Sequence, residues 1–334
     1  MKLNKSIKIF ITYFLGPLLF LWLSYNIYIE IKAQPNLVEH WQHIKASFFS
    51  KKFYWLVFAI VLVFVNIGVE VRKWQLAIKQ IQKVSYKTAT KAVLSGMSFS
   101  ISTPNRVGEY FGRVLYLDEG NKIKAIALTI VTSVSQLMIT LFMGILGFVI
   151  LKKEIVNHQL IKESFFLIIE YGSIIVLIIL VLLYFNLSGI TKYFNKFSIF
   201  RKYFWAIQSL EKLHATLLIR FLSLSLVRYI IFTMQYFIVF QFFNVQVGLA
   251  EVWLGISVMF LVMTAIPSIA IFTDLGLKNE IIIKILGIYS TNSLGISLTS
   301  LTIWLINLVI PALIGTVLLM GIKNLFIKKN YENI

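Results

Sequence analysis

The chain has 334 residues, 58% of them hydrophobic, and carries 32 Lys+Arg against 14 Asp+Glu for a formal charge of +18. Soluble domains are about 45–50% apolar and about 25% charged, so a chain that is 14% charged with a mean hydropathy of +0.83 has lipid for its solvent. Its basic excess belongs at membrane edges; the loops between apolar runs are too short to form the solvated basic surface a nucleic acid needs.

With no cysteine, disulfides, thiolate nucleophiles and Cys-based metal sites are excluded. The four histidines, His40, His43, His158 and His214, lie near segment ends without an acidic cluster at metal-ligand spacing. No cofactor is expected.

A crossing helix needs about 20 apolar residues. Ile9 to Ile29 is charge-free and not followed by a small-residue cleavage site, so it reads as a retained span and not a signal peptide. Phe53 to Val69, extending past Glu70, is the next span. Ala125 to Leu151, Tyr171 to Thr191 and Tyr229 to Ala250 follow, and Ile285 to Ile322 is too long for one crossing. Two apolar segments behave differently. Ala92 to Asn105 is short, rich in Ser and Thr, and closed by Pro104; Val252 to Thr273 is interrupted by Pro267 and followed by Asp274, Lys278, Glu280 and Lys284. Both read as re-entrant legs, each a half-helix that enters, breaks and returns.

The densest basic stretches are Arg72 to Lys91, Lys192 to Lys212 and the two termini. With both short segments re-entrant, about six full spans put all of these on the cytoplasmic side. The fold class expected is therefore all-α: a polytopic membrane protein with about six spans and two re-entrant hairpins, forming a single transmembrane domain over residues 1–334. It is placed in the cell (inner) membrane with both termini cytoplasmic. One crossing separates two similar units, about 53–151 and about 216–325, and an odd crossing inverts one against the other, so an inverted repeat is expected.

The densest chemical signal is Thr103-Pro104-Asn105-Arg106-Val107-Gly108-Glu109-Tyr110-Phe111-Gly112-Arg113. Thr103 or Asn105 suits a helix N-cap and Pro104 its first turn. On the helix so predicted, Arg106, Glu109, Tyr110 and Arg113 share one face, two guanidinium groups around one carboxylate. Ionisable residues at mid-membrane cost about 2.5–3.5 kcal/mol each on insertion scales, so they line cavities or mark function. Together with the exposed N–H groups of a helix start, they would suit a phosphate-bearing headgroup. The competing reading is an interfacial helix with solvated pairs. At the second break, Asp274 with Lys278 and Glu280 with Lys284 stand at i, i+4, either ordinary helix pairs or a second binding element. Arg228 lies about 13 Å inside its helix at about 1.5 Å per residue, placed either to pair with Glu109 or Glu280 or to snorkel. Mid-span Gln136 and Asn307 fit helix–helix hydrogen bonding. No Gly-rich phosphate loop, HExxH, GxSxG or kinase motif is present, so no enzymatic activity is expected.

Pro104-Asn105-Arg106-Val107-Gly108-Glu109 continuing to Arg113, with Arg72-Lys73-Trp74 upstream, resembles the lysylphosphatidylglycerol synthase transmembrane, or flippase-like, family over roughly Phe53 to Lys323. The resemblance implies kinship with the membrane half of multiple peptide resistance factor, which translocates aminoacylated phosphatidylglycerol, and carries the motif Pro, Arg, Gly and Glu onto Pro104, Arg106, Gly108 and Glu109. The family's second motif, rich in Pro and Gly, is matched only approximately by Pro267, Gly276 and Glu280. With Ile334 as the last residue, a soluble aminoacyl-transferase domain is not expected. The function implied is a flippase-like transporter of a phospholipid, aminoacylated phospholipid or lipid-linked precursor. The alternatives are a non-transporting accessory or scaffold for a lipid- or polysaccharide-modifying enzyme, and a transferase acting on polyprenyl-phosphate sugars. The partners expected are the membrane lipid, with a lipid-modifying enzyme or a second copy of the chain as further candidates.

Overall fold

The computed structural model describes residues 37–101, 103–187, 208–266 and 271–319, together with Tyr25, Tyr28, Ile29, Lys32 and Gly189. The span expected over Ile9 to Ile29, both basic termini, most of the Lys192 to Lys212 stretch and Pro267 lie outside the described residues.

Every regular element among the described residues is helical. In chain order these are α1 (Leu37–Phe48), α2 (Phe53–Ile78), α3 (Tyr86–Ile101), α4 (Gly108–Val114), α5 (Lys122–Ile150), α6 (Lys152–Asn157), α7 (Glu163–Phe185), α8 (Ala215–Phe242), α9 (Leu249–Ala265), α10 (Ile271–Leu286) and α11 (Ser293–Trp304). The last continues through a π-helical turn at Leu305–Val309 as part of one apolar helix, Ser293–Leu319. Pro311 explains the turn: it has no N–H for the carbonyl of Asn307, and the widened turn absorbs the missing bond.

Among the described residues, five helices are long and apolar enough to cross a membrane: Phe53–Ile78, Glu119–Ile150, Ser164–Phe185, Ala215–Phe242 and Ser293–Leu319. The protein is thus a polytopic helical membrane protein. Helix α5 is the most enclosed of the five, with 39% of its apolar window buried, whereas α7 is 6% buried and presents its Ile and Leu side chains outward, as suits a helix against lipid. The span expected over Tyr171 to Thr191 begins earlier, at Glu163, so Glu170 lies within the helix.

The basic stretch Arg72 to Lys91 is divided between two helices and the turn joining them, which holds Lys79 and Lys83. Arg72 and Lys73 belong to α2 and Lys87 and Lys91 to α3, because α2 runs on well past the apolar run and a Ser85 cap starts α3 early, with the Thr88 N–H donating to Ser85 Oγ at 3.1 Å.

The chain forms two compact units. One comprises Met1–Phe64, Leu137–Ile179 and Arg228–Leu305; the other comprises Val65–Gln136, Leu180–Val227 and Ile306–Ile334. Within the first, Asn244 ends α8 in the left-handed region (φ 59°), the conformation Asn tolerates best after Gly. Its side-chain amide donates to Ser47 Oγ at 2.8 Å and so holds α1. Asn292 caps α11, accepting from the Gly295 N–H at 2.8 Å, while its own amide donates to the Phe243 carbonyl at 3.1 Å. The α9–α10 hairpin belongs to this unit. The α3–α4 hairpin belongs to the second, where α3 also packs on the C-terminal part of the last span: a Cβ on Gly315 would lie 2.0 Å from the Leu94 carbonyl oxygen, and Ser98 and Thr316 hydroxyls bond at 2.7 Å.

Candidate functional site

The conspicuous Pro104-to-Arg113 stretch does not fold as one helix. Pro104–Arg106 make a single 3-10 turn, Asn105 and Arg106 both have positive φ (51° and 57°), and α4 starts only at Gly108. Two consecutive left-handed residues cannot carry a right-handed helical ladder. Thr103 nonetheless serves the helix start, because the Gly108 N–H donates to its Oγ1 at 2.7 Å. Arg106 is therefore off the predicted face: it is exposed on the turn with Asn105, while Glu109 and Arg113 keep their i, i+4 relation on α4.

Small residues bring α4 close against α3. A Cβ on Gly108 would lie 2.3 Å from the Phe99 carbonyl oxygen, and one on Gly112 would lie 2.6 Å from the Ser95 carbonyl oxygen. Only glycine allows backbones that near. The approach drives Arg113 inward, and its side chain is left 2% exposed.

What awaits it there is an ion cluster. Arg113 Nη2 donates to Glu70 Oε1 at 2.8 Å and also pairs with Glu109. Lys73 Nζ, 1% exposed, meets Glu70 Oε2 at 3.1 Å. Glu70 thus uses both oxygens, one for each buried cation. Lys73 also donates to Ser225 Oγ of α8 at 3.3 Å; Ser225 bonds Ser135 of α5 at 2.9 Å and its carbonyl accepts from Gln136 Nε2 at 3.3 Å. A polar chain therefore runs from the hairpin to mid-span residues of α5 and α8, and Gln136 takes the interhelical role expected of it. Beside the cluster, Trp74 Nε1 donates to Thr129 Oγ1 at 3.1 Å and Tyr116 bonds the Ser95 hydroxyl at 2.8 Å. Burial pushes the Tyr116 phenol above its usual range, partly offset by that hydrogen bond.

A guanidinium has five N–H donors. Only Nη2 of Arg113 is engaged; Nε and Nη1 are buried and have no hydrogen-bond partner among the described residues. Orphaned donors of a buried cation are costly, and they are chemically suited to an oxyanion that arrives from outside.

Arg228, Asp274, Gly276 and Glu280 belong to the first unit. Glu280 pairs with Lys284 at 2.9 Å, as its i, i+4 spacing suggests, and its second oxygen is buried without a hydrogen-bond partner among the described residues. Its neighbour Asn279 donates to Ser297 of α11 at 3.2 Å. Gly276 is buried on the same helix, and the Asp274 side chain lies outside what the structure describes. Arg228, within α8, has its guanidinium carbon 6.0 Å from the Phe232 ring centroid, a cation–π distance. No group of three His, Asp or Glu able to hold a metal occurs among the described residues.

Glu70 and Lys73 were not legible as site residues. By sequence Glu70 is a residue that the Phe53 span extends past, and Lys73 belongs to the basic stretch Arg72 to Lys91 and to the Arg72-Lys73-Trp74 run upstream of the motif. The available signal was Glu70-Val71-Arg72-Lys73, where a carboxylate and a cation at i, i+3 continue an apolar helix that has no break until Ile78.

Long apolar helices, a glycine-packed hairpin and a buried ion cluster define a multi-pass membrane protein with a charged interior site. The chain matches the family described as lysylphosphatidylglycerol synthase TM region over residues 9–315 and belongs to it. Membership makes this a membrane lipid-related protein. No curated protein matches the chain.

Proposed function

We propose that the protein carries a phospholipid, aminoacylated phospholipid or lipid-linked precursor between membrane leaflets, acting as a transporter and not as an enzyme. The observation that carries this reading is Arg113: a fully enclosed guanidinium with three unpartnered donors on Nε and Nη1, beside a carboxylate, Glu109, that is 26% exposed. A phosphate-bearing headgroup supplies the acceptors that guanidinium lacks, and Arg106 on the adjacent exposed turn offers a first contact. The α3–α4 and α9–α10 hairpins act as re-entrant elements of an inverted repeat. In this reading both termini are cytoplasmic and the membrane is the cell membrane.

The test is transfer of fluorescent phosphatidylglycerol between leaflets of proteoliposomes. Wild-type protein should accelerate transfer. Arg113→Lys, which keeps the charge but loses the fork, should reduce the rate by about tenfold or more, the loss of about 1.4 kcal/mol or more in transition-state binding. Wild-type protein that co-purifies with a lipid-modifying enzyme and transfers no lipid by itself would instead favour the accessory role.

A further inference from the structure

We propose that α10 and α11 form a site for a primary ammonium group, held by Glu280, Asn279 and Ser300. The inference deepens the lipid-carrier reading by naming a headgroup feature that the protein recognises, and it rests on that reading for the source of the amine.

The site is built on one face of α10. Gly276, Asn279, Glu280 and Ile283 stand at i, i+3, i+4 and i+7 and so share a face, which is buried at Gly276, Asn279 and Ile283. That face meets α11, where the Asn279 side-chain amide donates to Ser297 Oγ at 3.2 Å. Ser300 lies three residues beyond Ser297, on the same side of α11, and is 2% exposed.

Three buried oxygens on these two helices have no hydrogen-bond partner among the described residues: Asn279 Oδ1, Glu280 Oε2 and Ser300 Oγ. Asn279 is 6% exposed, so bulk water does not serve its oxygen. An amide oxygen and a carboxylate oxygen only accept, and a hydroxyl can turn to accept. A buried acceptor left without a donor is costly. What meets all three is a group with several donors and no acceptor of its own.

Charge makes that group a cation. Glu280 Oε1 is engaged by Lys284, which stands in the last turn of α10 with its side chain 56% exposed and placed to snorkel. An exposed partner of that kind offsets a carboxylate only weakly. The buried oxygen Oε2 keeps its attraction for a positively charged donor. A primary ammonium also fits in number, because its three N–H donors match the three acceptors. A divalent metal fits less well: it wants about six oxygen ligands or more, and no group of three His, Asp or Glu occurs among the described residues. A quaternary ammonium carries the charge but no N–H, and leaves the acceptors unmet.

The experiment titrates purified full-length protein in detergent micelles with three short-chain lipids: dihexanoyl phosphatidylethanolamine, phosphatidylcholine and phosphatidylglycerol. The first two share a phosphate and a positive charge and differ in N–H donors. Wild-type protein should bind the ethanolamine lipid about tenfold or more tightly than the choline lipid, the ratio expected from hydrogen bonds to a charged group. Glu280→Gln should bring that ratio to about one, and Ser300→Ala, which removes an acceptor without touching the charge, should lower it. Damage to the fold alone would weaken both lipids together and keep the ratio. Free ethanolamine is the soluble probe. Preference for the ethanolamine lipid without binding of ethanolamine assigns the site to a lipid headgroup; binding of ethanolamine without any lipid keeps the ammonium site and overturns the lipid-carrier reading. A choline lipid bound as tightly as the ethanolamine lipid, or binding of phosphatidylglycerol alone, overturns the ammonium site and leaves the lipid-carrier reading intact. A wild-type ratio kept in both variants overturns the assignment to Glu280 and Ser300, and binding of no probe overturns both readings. The wild-type ratio stands by itself if the variants fail to fold.

Discussion

Glu70 of α2 holds Arg113 of α4 at 2.8 Å through one oxygen and Lys73 at 3.1 Å through the other. One carboxylate therefore neutralises two enclosed cations, and its removal leaves both short of a partner. Breaking a buried pair by deleting one member costs about 3–5 kcal/mol. Glu70→Ala should accordingly lower the thermal midpoint in micelles far more than Glu109→Gln, whose side chain is partly solvated. Equal midpoints for the two variants would show that Glu70 is not the keystone of the cluster.

The α3–α4 contact depends on the absence of a side chain at Gly112, where a Cβ would sit 2.7 Å from the Gly96 Cα and 2.6 Å from the Ser95 carbonyl oxygen. These are backbone atoms, which cannot rotate away. Gly112→Ala should destabilise the protein by about 1–3 kcal/mol through overpacking and displace Arg113. Gly172 of α7, with nothing within 4 Å of its built Cβ, is the control: Gly172→Ala should leave the midpoint unchanged or raise it. Thermal unfolding monitored by helical circular dichroism checks both.

Arg106 separates stability from function. Its left-handed backbone (φ 57°) costs a non-glycine residue about 1–2 kcal/mol, and its side chain is exposed. Arg106→Gly should therefore leave stability unchanged or raise it by about 1 kcal/mol. If the guanidinium makes first contact with the headgroup, the same variant lowers lipid transfer in proteoliposomes. Unchanged transfer would remove Arg106 from the site.

Asn292 binds the start of α11 to the end of α8 in one unit. Its oxygen caps α11 and its amide meets the Phe243 and Asn244 carbonyls at 3.1 and 3.3 Å, at a position 3% exposed. Asn292→Ala should cost about 2 kcal/mol or more, a lost cap plus orphaned carbonyls. Asn292→Asp keeps the cap but turns a buried carboxylate oxygen toward the two carbonyls, so its midpoint should also fall below wild type; a wild-type midpoint for Asn292→Ala would refute the tie.

Hydropathy alone determined the class of this protein and, through runs such as Phe53 onward and Ala125 onward, the order of the long helices among the described residues, because burial in lipid acts on each segment independently. The breaks after Ile101 and Ala265 were legible for the same reason: Pro104, Pro267 and the charges behind them interrupt a pattern that is read locally. The i, i+4 pairs Glu109–Arg113 and Glu280–Lys284 are also local, fixed by helical pitch. The tertiary structure decided the rest. Arg106 left the face it shared on paper because two residues took left-handed backbone, a choice that sequence spacing does not reveal. Glu70 and Lys73 joined Arg113 because α2 runs beyond its apolar stretch and Gly108 and Gly112 let α4 close on α3. Which charge neutralises which is a matter of distance in space, and distances between helices are set by packing.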